Sequence, residues 1–121
     1  MPTSDNIWPL TRKHQNLYGQ VVWMATSRKE YGKALKFLGA NKLEKNIGGI
    51  SQVFENVKTK APVYLIGWFN GDVATLAHEC SHMAFNILAA VGIPVTHESN
   101  EAHAYLLAAI MRDFLRLEKC S

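Results

Sequence analysis

Residues 62 to 69, PVYLIGWF, form a near-continuous apolar run, whereas the segment before it, ISQVFENV from 50 to 57, alternates Ile50, Gln52 and Phe54 with Ser51, Val53 and Glu55. A strand apolar on both faces belongs inside a sheet, and one with a polar face suits an edge. The polar KTKA between them is short enough for a hairpin. The pattern therefore predicts a hairpin whose first strand, from about Ile50 to Asn56, is an edge and whose second is interior. YGQVVWM, residues 18 to 24, is rich in β-branched and aromatic side chains and predicts another strand, with an extension of the following helix as the alternative.

Helical spacing takes over elsewhere. Ser27 with Glu30 three positions later forms a capping box, Tyr31, Ala34, Leu35 and Leu38 follow at helical intervals, and Gly39 supplies a stop. A second helix is predicted from a cap at Asp72 to about Val91, where GIP ends it. A third runs from Ser99 or Asn100 to about Glu118, with Leu107, Ile110, Phe114 and Leu117 on one stripe. The order strand, helix, strand, strand, helix, helix predicts an α+β domain with a small twisted sheet. Its length of 121 residues and 48% hydrophobic content suit a single domain over residues 1–121.

The second predicted helix carries TLAHECSHMAF, residues 75 to 85. His78 and His82, four positions apart, lie about 40° apart around a helix axis and one turn apart along it, so both imidazoles can reach one metal ion. Glu79 is rotated by about 100° from His78, beside the ion and within reach of a water there, the place of a general base. Ordinary surface or core histidines are the plain alternative. Against it stand the clear helix, the apolar strand before it and the small flanks Ala74, Ala77, Ala84 and Ala89.

A catalytic zinc needs a third protein ligand and an open position. The extended pattern with a third histidine is absent, since Phe85 and Leu88 stand where its glycine and histidine would be. The candidates are His97, Glu98, Glu101 and His103. Glu101 is favoured, because an antiparallel return through VGIPVTHESN aims the first turn of the third helix back at the motif; Glu98 is the runner-up. His103 is offset by about 200° from Glu101 and faces away. Tyr105, one turn after Glu101, is either a hydrogen-bond donor to the site or a core aromatic.

HECSH followed 19 positions after His82 by Glu101 in NEAHAYLLA resembles the gluzincin arrangement of zinc metallopeptidases, in particular the very small metallopeptidases encoded by phages and prophages. The resemblance covers roughly residues 50 to 115. It implies a minimal zincin-like fold, His78, His82 and Glu101 as zinc ligands, and Glu79 as the base acting on a zinc-activated water. It also implies that an extended peptide or protein substrate lies along the strand from about Ile50 to Asn56. Two rivals remain: a zinc-stabilised binding protein without turnover, and a zinc amidase or deacylase. Glu79 argues against the first, because a structural zinc closes with a fourth protein ligand and needs no base.

Composition narrows the partners. Thirteen Lys and Arg against ten Asp and Glu give a net charge of +3, and Lys29, Lys33 and Lys36 share a helical face. No aromatic-interleaved basic motif accompanies them, so nucleic acid is not the expected partner. No apolar run reaches the roughly 18 residues of a membrane span, and the N-terminus has no leader pattern. Cys80 and Cys120 read as reduced, Cys80 as a small core side chain. The expected location is the cytoplasm, of a bacterial host if the phage resemblance holds. His14 sits in a polar N-terminal segment that suggests no role.

Overall fold

The structure, a computed structural model, describes residues 7–44, 46–56 and 59–120, with side chains described up to residue 116. The reading of Cys120 and the place of Leu117 on the apolar stripe lie outside the described side chains. The elements are β1 (Lys13–Gln15), β2 (Val21–Ala25), α1 (Arg28–Phe37), β3 (Gly49–Glu55), β4 (Pro62–Trp68), α2 (Val73–Ala90) and α3 (Asn100–Cys120). The four strands form one mixed sheet in the order β1-β2-β4-β3. β2 and β4 are parallel; β1 with β2 and β3 with β4 are antiparallel. The fold is thus α+β, with the apolar β4 inside and the alternating β3 at the edge, as their patterns predict.

Alternation along β2 and β4 divides the core between the two faces of the sheet. Val22, Met24, Tyr64, Ile66 and Trp68 meet Leu76, Cys80, Met83 and Ile87 of α2 and Ile110 and Phe114 of α3. On the opposite face Ala25 and Leu65 meet Tyr31, Ala34 and Leu35 of α1. Full burial of a side chain such as Ile110 or Phe114 contributes about 2–3 kcal/mol over leaving it exposed, so the stripe at helical spacing suffices to seat α3.

The helix ends follow local chemistry. Ser27 Oγ accepts from the Glu30 N–H at 3.1 Å, and Glu30 Oε1 returns the favour to the Thr26 N–H at 3.2 Å. Gly39 and Gly92 take the left-handed conformation just beyond α1 and α2, with φ of 68° and 83°. Trp8 packs edge-on against Trp23 and Phe37, at 5.5 and 5.3 Å between ring centroids, pinning the segment before β1.

β1 is the element that patterning misses. Its three residues, Lys-His-Gln, carry no apolar alternation. Yet His14 is only 3% exposed, and its Nδ1 lies 2.7 Å from Asp113 Oδ2 of α3. The supposedly uninformative histidine joins the outer strand to the last helix.

Candidate metal centre

Four hydrogen bonds set the pitch of α2 against the sheet. Trp68 Nε1–H donates to Asp72 O at 2.8 Å, tying the end of β4 to the start of the helix. Asp72 Oδ1 accepts from the Ala74 N–H at 2.9 Å as the N-cap. Asn70 bridges the junction, accepting from the Asp72 N–H and donating to Thr75 Oγ1, both at 2.9 Å. With the first turn held at its N-cap and its flank, positions 78, 79 and 82 turn towards β3.

Glu79 and the two histidines play opposite parts. His78 and His82 are exposed, with Nε2 atoms 3.2 Å apart and rings nearly perpendicular at 78°. Glu79 is buried, at 9% exposure, and crosses β3 where Gly49 has no side chain. A Cβ on Gly49 would stand 3.2 Å from Glu79 Cγ, 2.8 Å from Thr75 Cγ2 and 3.0 Å from Gly67 O. The Glu79 carboxylate acts on its neighbours. Burial first, and this charge second, push the Tyr31 phenol well above its ordinary range and the Cys80 thiol up to about 12. Cys80 therefore stays a neutral thiol in the core.

All three motif side chains line one cleft of about 630 Å³, with Asn86 one turn further along α2. Across from them lie β3, residues 40–44 and Ile47. Arg28 holds this wall in place, donating to Glu44 O at 2.8 Å and Ile47 O at 3.4 Å while its guanidinium lies over Phe69. Gln52 also lines the cleft, and its Oε1 accepts from the Tyr31 hydroxyl at 2.7 Å. Sequence reasoning misses Gln52, Asn86 and the wall made by residues 40–44 and Ile47. Only the approach of α1 and α2 to β3 brings them together, and nothing in their spacing announces it.

The histidine pair fits a metal ion. Two nitrogens on one tetrahedral zinc, each about 2.0–2.1 Å from it, stand about 3.3 Å apart, close to the separation of the two Nε2 atoms. Two neighbouring donors of one chemical type, held by a single helix turn, need little rearrangement to share an ion. No family model, curated protein or solved structure matches the chain. What the site can do is therefore argued from its own residues.

The other ligand candidates are less assembled. Among the described residues no three His, Cys, Asp or Glu side chains stand close enough together to hold an ion. Glu101 lies in the first turn of α3, exposed, and does not line the cleft. His103, expected to face away, turns towards α2: its Nε2 lies 3.1 Å from Ser81 O and 3.4 Å from Ser81 Oγ. That contact sets the start of α3 alongside the motif turn, and the roughly 200° between positions 101 and 103 leaves Glu101 on the outer side. Glu98 accepts from Thr96 Oγ1 at 3.3 Å in the loop before α3, and His97 is exposed there. Tyr105 is also exposed and lies outside the cleft lining.

The free side of β3 can be read from its pairing. The Phe69 N–H donates to Gly48 O and the Asn56 N–H to Ala61 O, both at 2.8 Å. Given the register from Gly49 opposite Trp68 to Glu55 opposite Pro62, Ile50, Gln52 and Phe54 direct their backbone groups at β4. Gly49, Ser51, Val53 and Glu55 direct theirs outward, and of these Gly49 and Ser51 line the cleft.

Proposed function

We propose that the chain is a zinc-dependent metallopeptidase that hydrolyses peptide bonds, with His78, His82 and Glu101 holding the ion and Glu79 as general base. The observation that carries this reading is the pair of Nε2 atoms 3.2 Å apart beside a buried carboxylate in one cleft. A bound zinc supplies Lewis acidity, polarising the scissile carbonyl and bringing the pKa of water towards about 7. Glu79 accepts the proton of the attacking water and delivers it to the leaving amine, moving only its carboxylate between the two. Its burial keeps competing solvent away from that proton. Glu101 is the third ligand that the gluzincin resemblance implies; it lies outside the cleft in this structure, so reaching the ion requires the first turn of α3 to rearrange.

An extended peptide pairs with the outward backbone groups of Gly49, Ser51, Val53 and Glu55 as an added strand, gaining affinity from main-chain hydrogen bonds. The wall of residues 40–44 and Ile47 covers it from the other side. The gluzincin resemblance and the two cysteines read as reduced support action in the cytoplasm of a bacterial host, from a phage or prophage gene. Among the described residues no helix is long and apolar enough to cross a membrane.

Metal analysis of untagged protein and of Glu79→Gln, paired with digestion of a peptide library, tests the reading. About one zinc per chain is expected in both, with cleavage by the unsubstituted protein alone. Zinc without cleavage of any peptide returns the binding-protein alternative, and hydrolysis confined to acylated amines returns the deacylase. A folded Glu79→Gln protein that holds no zinc overturns the division of roles.

A further inference from the structure

At the far edge of the sheet, a cavity of about 480 Å³ opens between β1, the turn after it and α3. Its size suits a small molecule. His14, 3% exposed, lines it; Nδ1 is engaged by Asp113 at 2.7 Å, and Nε2 is buried with no hydrogen-bond partner. Asn16 lines it too. Its Oδ1 accepts from the Tyr18 and Gln20 N–H groups at 3.0 and 3.2 Å, so its Nδ2 is the donor end, and that atom is also buried and unpartnered. Buried polar atoms are ordinarily partnered, so two unpartnered ones on residues that line one cavity point to a missing polar group.

The remaining lining gives the group a sign and a body. Arg112 adds a guanidinium. Leu106 and Ala109 supply an apolar wall, while Leu17 and Tyr105, 91% and 74% exposed, are large apolar surfaces at the same cavity. We propose that this cavity binds a small carboxylic acid with an aromatic or short aliphatic body, its carboxyl group meeting Arg112 and, through a small side-chain shift that uncovers them, His14 Nε2 and Asn16 Nδ2. The three polar groups suit the two oxygens of a carboxyl: Asn16 and Arg112 donate to them, and one proton is shared between the carboxyl and His14 Nε2. Asp113 orients the ring by accepting from Nδ1–H. The site is separate from the histidine cleft, since β2 and β4 lie between their edge strands.

Phenylacetate titrated into the full chain, followed by amide NMR shifts, tests the proposal, with phenylacetamide as the neutral control of nearly the same shape. Saturable shifts are expected in β1, the 16–18 turn and the middle of α3, with phenylacetamide at least about tenfold weaker. Arg112→Gln, a change at an exposed position, should weaken phenylacetate by about tenfold, and His14→Gln by at least as much where that variant remains folded. Absence of saturable shifts, equal affinity for the amide, shifts confined to β3 and α2, or undiminished binding by Arg112→Gln would each overturn it.

Discussion

The two edges of the sheet each carry histidine chemistry, arranged in opposite ways. Beside β3, His78 and His82 are exposed and four positions apart, with their Nε2 atoms directed at each other. On β1, His14 is buried and paired with Asp113 across 99 positions of sequence. The first arrangement sets two imidazole nitrogens at a separation that one ion can bridge, with the Glu79 carboxylate lining the same cleft. The second commits one ring nitrogen to a carboxylate and so spends it on joining β1 to α3. Histidine function here follows from which groups the fold sets against the ring.

Exchanging the roles in experiment gives the largest expected effect. His78→Ala or His82→Ala should lower zinc affinity by more than about a hundredfold, beyond what loss of a supporting partner costs. Because both side chains are exposed, urea unfolding of the metal-free variants should differ from the unsubstituted protein by less than about 0.5 kcal/mol. His14→Ala should do the reverse, costing about 2–3 kcal/mol of stability while leaving zinc affinity unchanged. Equal losses of zinc affinity in all three would show that the two edges are not independent.

Backbone substitution sharpens the contrast within the cleft edge itself. Gln52→Pro should lose about 3 kcal/mol, because its N–H is directed into the ladder with β4. Ser51→Pro and Val53→Pro should stay folded and zinc-loaded, since their N–H groups face outward, yet lose turnover of extended peptides. Undiminished turnover by both outward variants would remove the added-strand model. Among carboxylates, Glu101→Gln should weaken zinc binding by at least about tenfold and Glu98→Gln by less than about twofold. The opposite ranking in a competitive chelator titration moves the third ligand to Glu98.

The smallest expected effect concerns the buried phenol behind the cleft. Tyr31→Phe removes the bond to Gln52 and should cost about 1 kcal/mol at neutral pH. In the folded protein burial, and then the Glu79 charge, hold the Tyr31 ionisation above the ordinary value of 10.0. The unfolded chain therefore releases this proton first as pH rises. Its contribution to stability is fully present below pH 10.0 and is lost as pH climbs towards the raised folded value. Urea midpoints measured from pH 8 to 11 should fall less steeply for Tyr31→Phe; parallel curves would show that this phenol does not drive the alkaline loss.

Short-range features were legible without coordinates. The caps at Ser27 and Asp72, the stops at Gly39 and Gly92, the interior β4 and edge β3, and the shared face of His78 and His82 all depend on residues within a turn or a hairpin of each other. The expectation for His103 failed for a related reason. Its angle relative to Glu101 was correct, but helical spacing gives only relative directions, and packing of α3 decided which of the two meets α2.

Sequence by itself determined every element but β1, their apolar faces and the paired imidazoles, because side-chain periods of two and 3.6 residues are properties of the local backbone. Tertiary structure alone decided that Glu79 lies buried against Gly49, that Tyr31 braces Gln52, that residues 40–44 and Ile47 wall the cleft and that His14 finds Asp113. Each of those contacts joins segments whose separation along the chain carries no periodic signal, and each exists only because two layers of helices close on opposite faces of one sheet.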